Sequence, residues 1–342
     1  AVRSSATHRR VPPEAAAVSV VTMQTRLTEL LQIEHPVMLA GMGGVAYSEL
    51  VVAVSNAGGI GTLGAAPLSE EEMAAEIAAI AAGTAKPFGV DLLAALPDSL
   101  LRGVELIISG GAALFVAGLG VPRDIIGQLH DAGVLVASMC GKVRHAVDAV
   151  ASGVDFVIVQ GTEAGGHTGL VATMPLVPQV VDAVGAAVPV VAAGGIFDGR
   201  GLAAALALGA DGVWMGSRFI ATPEARTVRG YKDALIGARE DDTVITKGYS
   251  GKSMRTIRNE WTQHIEQHPE LLRPFPEMML HTLEAGVLHL GGDDTTEVDT
   301  ARECYPMGQL VGAVHDLEPA GDIVRRVVRE AEATLDRITS LR

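Results

Sequence analysis

From Leu27 to Phe219 the chain alternates between short apolar runs and Ala/Leu-rich stretches, with glycine-rich turns between them. Eight runs, at 36–40, 59–63, 87–92, 113–117, 134–138, 155–160, 189–193 and 211–215, read as buried strands. Their starts recur every ~20–30 residues, the length of one βα unit. The stretches between them carry helix starts. Ser69 precedes Glu70, Glu71 and Glu72, a cap followed by negative charge at the positive end of the helix dipole. Pro122 opens a helix over 123–131, and Asp198 one over 199–208 that stops at Gly209. A doubly wound sheet uses fewer strands and places a nucleotide fingerprint at the first of them. Eight strands and glycine loops late in the chain predict a (β/α)8 TIM barrel over 23–221.

The alternation ends near Phe219. Residues 222–305 hold Trp261 and many charged residues, and read as a helical lid inserted after the eighth strand. Residues 306–342 then return to the barrel and end in an amphipathic closing helix over 319–341. Residues 1–22, with Arg9, Arg10, Pro12 and Pro13 followed by alanines, show no periodicity and read as a disordered leader.

Composition narrows the function. A barrel takes ~250 residues, so the 342-residue chain has room for one barrel and a lid. Hydrophobic residues make up 48% and aromatics only 4%, so short aliphatic side chains must fill the core. No apolar run reaches the ~18 residues of a membrane span, and no membrane partner is predicted. The net charge of −14, with no Lys/Arg run, argues against a nucleic-acid partner. Cys140 and Cys304, without a CxxC pair, read as reduced thiols of a cytoplasmic protein. His264 and His268 stand four apart, but Glu266 is misplaced for the zinc-protease pattern, and no metal site is predicted.

Chemistry in a barrel gathers where strands run out into βα loops. The sixth loop reads Gln160-Gly161-Thr162-Glu163-Ala164-Gly165-Gly166-His167-Thr168-Gly169, four glycines in ten residues around one histidine. Such a backbone approaches a flat ligand closely, and His167 is the candidate base for a proton transfer near neutral pH. Glycine-rich loops seven and eight match a barrel phosphate site, with backbone N–H groups at Gly195 and Gly216 and the hydroxyl of Ser217.

These stretches resemble the nitronate monooxygenase family, also called 2-nitropropane dioxygenases. The likeness runs through Ala40-Gly41-Met42-Gly43-Gly44, Asn56-Ala57-Gly58-Gly59-Ile60-Gly61, Lys86-Pro87-Phe88-Gly89-Val90, the sixth loop, 192–219 and Thr243–Thr246. It covers most of 27–341, and is shared with the flavin-dependent enoyl-ACP reductases. The resemblance implies an FMN enzyme with the flavin ring on the backbone near Gly41 and Met42. Gln160 and Gly165 would touch the flavin. Gly194 and Gly195 would flank its phosphate, joined by Trp214, Met215, Gly216 and Ser217. His167 would be the catalytic base near the flavin N5. Lys142, after the fifth strand, reaches the cofactor or lies exposed, and Gln309 returns from the lid towards it. Asp91 stands where many members carry Asn; an ionised carboxylate cannot donate to the flavin as an amide can. Ser217 replaces the common Thr and keeps the hydroxyl. The implied reaction is oxidation of a nitronate or nitroalkane by FMN and O2. The alternative is NAD(P)H-dependent reduction of an enoyl thioester, an acyl-CoA or a quinone.

Overall fold

The computed structural model describes residues 23–94 and 97–341, so the leader expected at 1–22 lies outside the described residues. Eight parallel strands form the barrel: β1 (Val37–Leu39), β2 (Gly61–Gly64), β3 (Phe88–Leu93), β4 (Leu114–Gly118), β5 (Leu135–Cys140), β6 (Phe156–Gln160), β8 (Val190–Ala193) and β9 (Gly212–Met215). They correspond one to one with the eight predicted runs. The order is β1-β9-β8-β6-β5-β4-β3-β2, and a parallel bridge between Met38 and Ile60 closes the ring.

Strand alternation divides the apolar side chains into two layers. Met38, Leu114, Val116, Phe156, Ile158, Val191 and Trp214 pack together inside the barrel. Their neighbours Val37, Leu39, Phe115, Val157, Val159, Val213 and Met215 face the surrounding helices. The helix Arg26–Leu31 lends Leu27 and Leu31 to the interior cluster. A Cβ at Gly212, where β9 begins, would lie 2.5 Å from Leu27 Cδ2, so this helix plugs the N-terminal end.

The helix Glu70–Gly83 starts on the predicted Ser69 cap, as a capping box with Glu72. Asp198 caps Gly199–Ala207 by accepting from the Gly201 N–H. The helix after β4 is only Ile126–Asp131, shorter than expected, because the residues following Pro122 form a turn with the Ile125 N–H bonded to Pro122 O. The closing helix, Ala320–Thr339, buries Ile323, Val324, Val327, Val328 and Ala331 against Gly199–Ala207. A Cβ at Gly199 would stand 2.2 Å from the Ala331 nitrogen, so glycine permits this packing.

The excursion over 222–305 departs from the helical expectation. It carries helices Tyr231–Gly237, Glu260–Gln267 and Glu277–Glu284, but also an antiparallel hairpin, β10 (Thr243–Thr246) and β11 (Met254–Ile257). The hairpin pairs with a two-residue strand, β7 (Gly166–His167), inside the sixth barrel loop, with Met254 opposite His167 and Arg255 opposite Gly166. β10 and β11 mix polar with apolar residues, so no continuous buried run marks them in the sequence. A separate apolar cluster of Tyr249, Met254, Trp261, Ile265, Met278, Val287 and Cys304 supports the excursion.

Candidate active site

The C-terminal ends of the barrel strands and the excursion enclose a cavity of ≈ 930 Å³. Gly41, Met42, Asp91, Lys142, Gln160, Gly165, His167, Gly194, Gly195, Trp214, Gly216 and Ser217 all line it. Two sequence candidates stand outside. The Met215 side chain belongs to the outer layer, since alternation sends Trp214 inward and Met215 out, and its carbonyl accepts the Ala40 N–H at 2.9 Å. Gln309 is exposed, and its N–H bonds to Glu163 O; Gly308 and Leu310 line the cavity instead.

One wall is an anion cradle. Gly194 and Gly195 have φ of 106° and 74°, the left-handed region that favours glycine. The N–H groups of Gly194, Gly195, Gly216 and Ser217 donate to no acceptor among the described residues. Ser217 Oγ accepts the Gly308 N–H at 2.9 Å, which leaves its own proton for a further acceptor. Unpaired donors gathered on one wall suit a phosphate. A Cβ at Gly216 would approach Met42 Sδ to 3.2 Å, so the wall has little spare room.

Asp91 projects into the barrel mouth, because Val90 and Leu92 on the same strand face the helices. A Cβ at Gly41 would lie 2.3 Å from Asp91 Cβ, so the loop after β1 needs glycine there. The Asp91 carboxyl has no hydrogen-bond partner among the described residues, and burial raises it well above the usual carboxylate range. Burial therefore lets this carboxyl keep its proton to higher pH than a free one, and while protonated it can donate a hydrogen bond as an amide does.

His167 is half-buried. Its Nε2 lies 2.8 Å from Ser250 Oγ, in the turn that joins β10 to β11. Burial and then the nearby Lys252 charge pull the imidazole down to about 4, so it is neutral near pH 7. Glu163, in the same loop, is structural: its carboxylate accepts the Thr173 N–H at 2.9 Å and the Thr173 hydroxyl at 2.8 Å, capping the helix Thr173–Val184. Buried Arg255 ties the loop from below, Nε donating to Thr162 O at 3.0 Å.

Several lining residues escaped the sequence reading. Arg123, Lys252 and His289 reach the cavity from separate loops and His145 from the helix Val143–Ala151, so these side chains converge on the mouth of an acidic protein without forming a run. Arg123 pairs with Asp148 at 2.5 Å. Both cysteines also line the cavity, but burial pushes the Cys140 thiol up to about 12 and raises Cys304 well above the usual thiol range, so neither is an activated nucleophile. The rings of His264 and His268 lie 4.8 Å apart at a tilt of 47°. Among the described residues no group of three or more His, Cys, Asp or Glu could hold a metal ion, and no helix is long and apolar enough to cross a membrane.

A closed (β/α)8 barrel with a glycine-walled cavity at its C-terminal mouth has the architecture of a barrel enzyme. The chain belongs to the nitronate monooxygenase family and is an oxidoreductase; the family model matches residues 24–103 and 99–330. It is 46% identical over 245 residues to a Mycobacterium tuberculosis protein named (3aS,4S,5R,7aS)-5-hydroxy-7a-methyl-1-oxo-octahydro-1H-indene-4-carboxyl-CoA dehydrogenase, covering 71% of this chain and 69% of that one. A Rhodococcus jostii protein of the same name is 34% identical over 353 residues, covering 94% and 99%. Among solved structures, FabK from Thermotoga maritima superimposes with a TM-score of 0.84 at 32% identity, covering 94% of this chain and all of that one.

Proposed function

We propose that the protein is an FMN-dependent dehydrogenase acting on an acyl-CoA thioester. The carrying observation is the cavity itself: the four unpaired N–H groups of Gly194, Gly195, Gly216 and Ser217 share it with Arg123, Lys142 and Lys252, in a chain of net charge −14. The N–H cradle suits one short phosphate, which favours FMN over a dinucleotide. The basic residues suit the further phosphates of a CoA tail. The names of the two relatives from Mycobacterium and Rhodococcus support the same substrate class.

In this reading Gly194, Gly195, Gly216 and Ser217 hold the phosphate, while Gly41 and Met42 give the flavin ring a close backbone surface. Asp91, whose carboxyl burial raises above the usual range, and Gln160 supply polar contacts to it. FMN, when bound, supplies the electron acceptor. His167 stands at the reacting centre as a neutral imidazole held by Ser250.

The test is anaerobic mixing of the yellow protein with saturated acyl-CoA thioesters, propionate 3-nitronate, NADH and NADPH in parallel. Bleaching of the flavin band by an acyl-CoA supports the proposal. No bleaching by any thioester, or a heat-released cofactor that runs as FAD, sinks it. The second reading, nitronate oxidation with O2, is favoured by the family match and by His167. An imidazole neutral near pH 7 can take the carbon proton of a nitroalkane, and bleaching by the nitronate alone would select this reading.

A further inference from the structure

His289 and Glu303 form a hydrogen-bonded pair that the chemistry above does not use. The Glu303 side chain is fully buried, and burial raises its carboxyl above the usual range. It holds His289 at two points: Oε1 accepts the His289 backbone N–H at 3.0 Å, and Oε2 lies 2.7 Å from Nδ1. A carboxylate at Nδ1 fixes that nitrogen as the N–H bearing one and leaves Nε2 with the lone pair. Nε2 has no protein partner among the described residues, while the ring is 30% exposed and lines the cavity.

The position of His289 relates it to the reacting centre. The next residue, Leu290, packs on the loop after β1, where a Cβ at Gly44 would lie 3.2 Å from Leu290 O. That loop also carries Gly41 and Met42. His167 follows β6, three strands away around the barrel. The two histidines therefore enter one cavity from different quarters, and they are prepared differently. Ser250 occupies Nε2 of His167, whereas Nε2 of His289 is open and backed by a carboxylate.

We propose that His289, oriented by Glu303, is a second acid–base group of the cavity and removes the proton alpha to the thioester carbonyl. The inference rests on the acyl-CoA reading. The alpha C–H bond breaks and its proton forms an N–H bond at Nε2. The electron pair stays on carbon, delocalised into the thioester carbonyl as an enolate. Glu303 acts as a positioning residue that stabilises the imidazolium so formed.

The probe is phenylacetyl-CoA, which has acidic alpha protons but no removable beta hydrogen, so proton transfer is read without oxidation. The holoenzyme is incubated with it anaerobically in D2O, and alpha deuteration is followed by NMR. Wild type accelerates exchange. His289→Ala loses about 10²-fold or more of that acceleration, and His289→Gln, which keeps a donor towards Glu303, loses as much if the alanine variant folds poorly. Glu303→Gln slows exchange while phenylacetyl-CoA still perturbs the flavin spectrum with unchanged affinity, a split that structural loosening would not produce. Full exchange in both His289 variants overturns the proposal. If saturated acyl-CoA bleaches the flavin yet the His289 variants exchange normally, only this inference fails. If wild type neither bleaches nor exchanges, the acyl-CoA reading fails with it.

Discussion

Ser250 Oγ lies 2.8 Å from His167 Nε2, although the two residues are 83 positions apart in the chain. The contact crosses from the excursion's hairpin to the sixth barrel loop and is reinforced by the Met254–His167 register and by the Thr168 N–H bonded to Ser253 O at 3.1 Å. Removing this hydroxyl deletes one hydrogen bond to a ring that stays in place. Ser250→Ala is expected to keep its cofactor and lose up to ~10-fold in kcat, the worth of ~0.5–1.5 kcal/mol. Steady-state kinetics with a retained flavin spectrum checks this; an unchanged kcat would show that Ser250 does not position the ring.

The pH dependence of His167 follows from its lowered imidazole. The folded protein favours the neutral ring, so its contribution to stability is present above the ordinary value near 6.5 and is lost as pH falls towards about 4. The expected activity is flat between about pH 6 and 8, as far as this group is concerned, and declines below about pH 5. His167→Gln should remove that acid limb along with much of the activity. A limb near pH 6.5 in the wild type would mean the ring is not desolvated.

Asp91 has the opposite sign. Its raised carboxyl contributes stability that is full below the usual carboxylate range and is lost as pH rises through the folded value. Asp91→Asn keeps a donor and removes the ionisable group. The melting temperature should rise by about 2–4 °C at pH 8 and change little at pH 4, with FMN retained. Scanning calorimetry across that range decides it, and a gain independent of pH would refute the account.

Much of the fold was legible because the eight strands are buried apolar runs and all but β3 end at or just before a glycine, a pattern that survives without partners. The glycine loops were legible for the same reason: φ above zero at Gly194 and Gly195 demands a residue type that the sequence displays directly. The site was only half legible. No motif singles out His289, because Glu303, 14 residues on, meets it only after both are folded against the barrel. Arg123, Lys142 and Lys252 lie on three separate loops, so their convergence was invisible in a chain with no basic run. The side chain of Met215, named from its place in a motif, follows strand alternation into the outer layer, a placement that the motif alone does not display.

Gly216 supplies the remaining prediction. Its Cβ space ends 3.2 Å from Met42 Sδ and 3.4 Å from Ala40 Cβ, and its N–H belongs to the cradle. Gly216→Val should fold, as judged by far-UV circular dichroism, yet weaken FMN affinity by about 10²-fold, in the range of a lost charge-assisted bond plus overpacking. Titration of the stripped protein with FMN measures it. Wild-type affinity in the valine variant would place the phosphate elsewhere.

The three-stranded sheet formed by β10, β11 and β7 has a consequence for how this protein can diverge. In many barrels the substrate-facing loops vary independently of the catalytic ones, because each hangs from its own strand. Here the excursion shares a ladder with the loop that carries His167, and also holds Ser250, Lys252 and His289. An insertion or exchange of this segment that tunes which molecules enter must also re-aim the histidine and reset its surroundings. Under the proposed function selectivity and reactivity are inherited as one unit, and exchanging residues 222–305 between relatives would change the surroundings of His167 together with the cavity's lining.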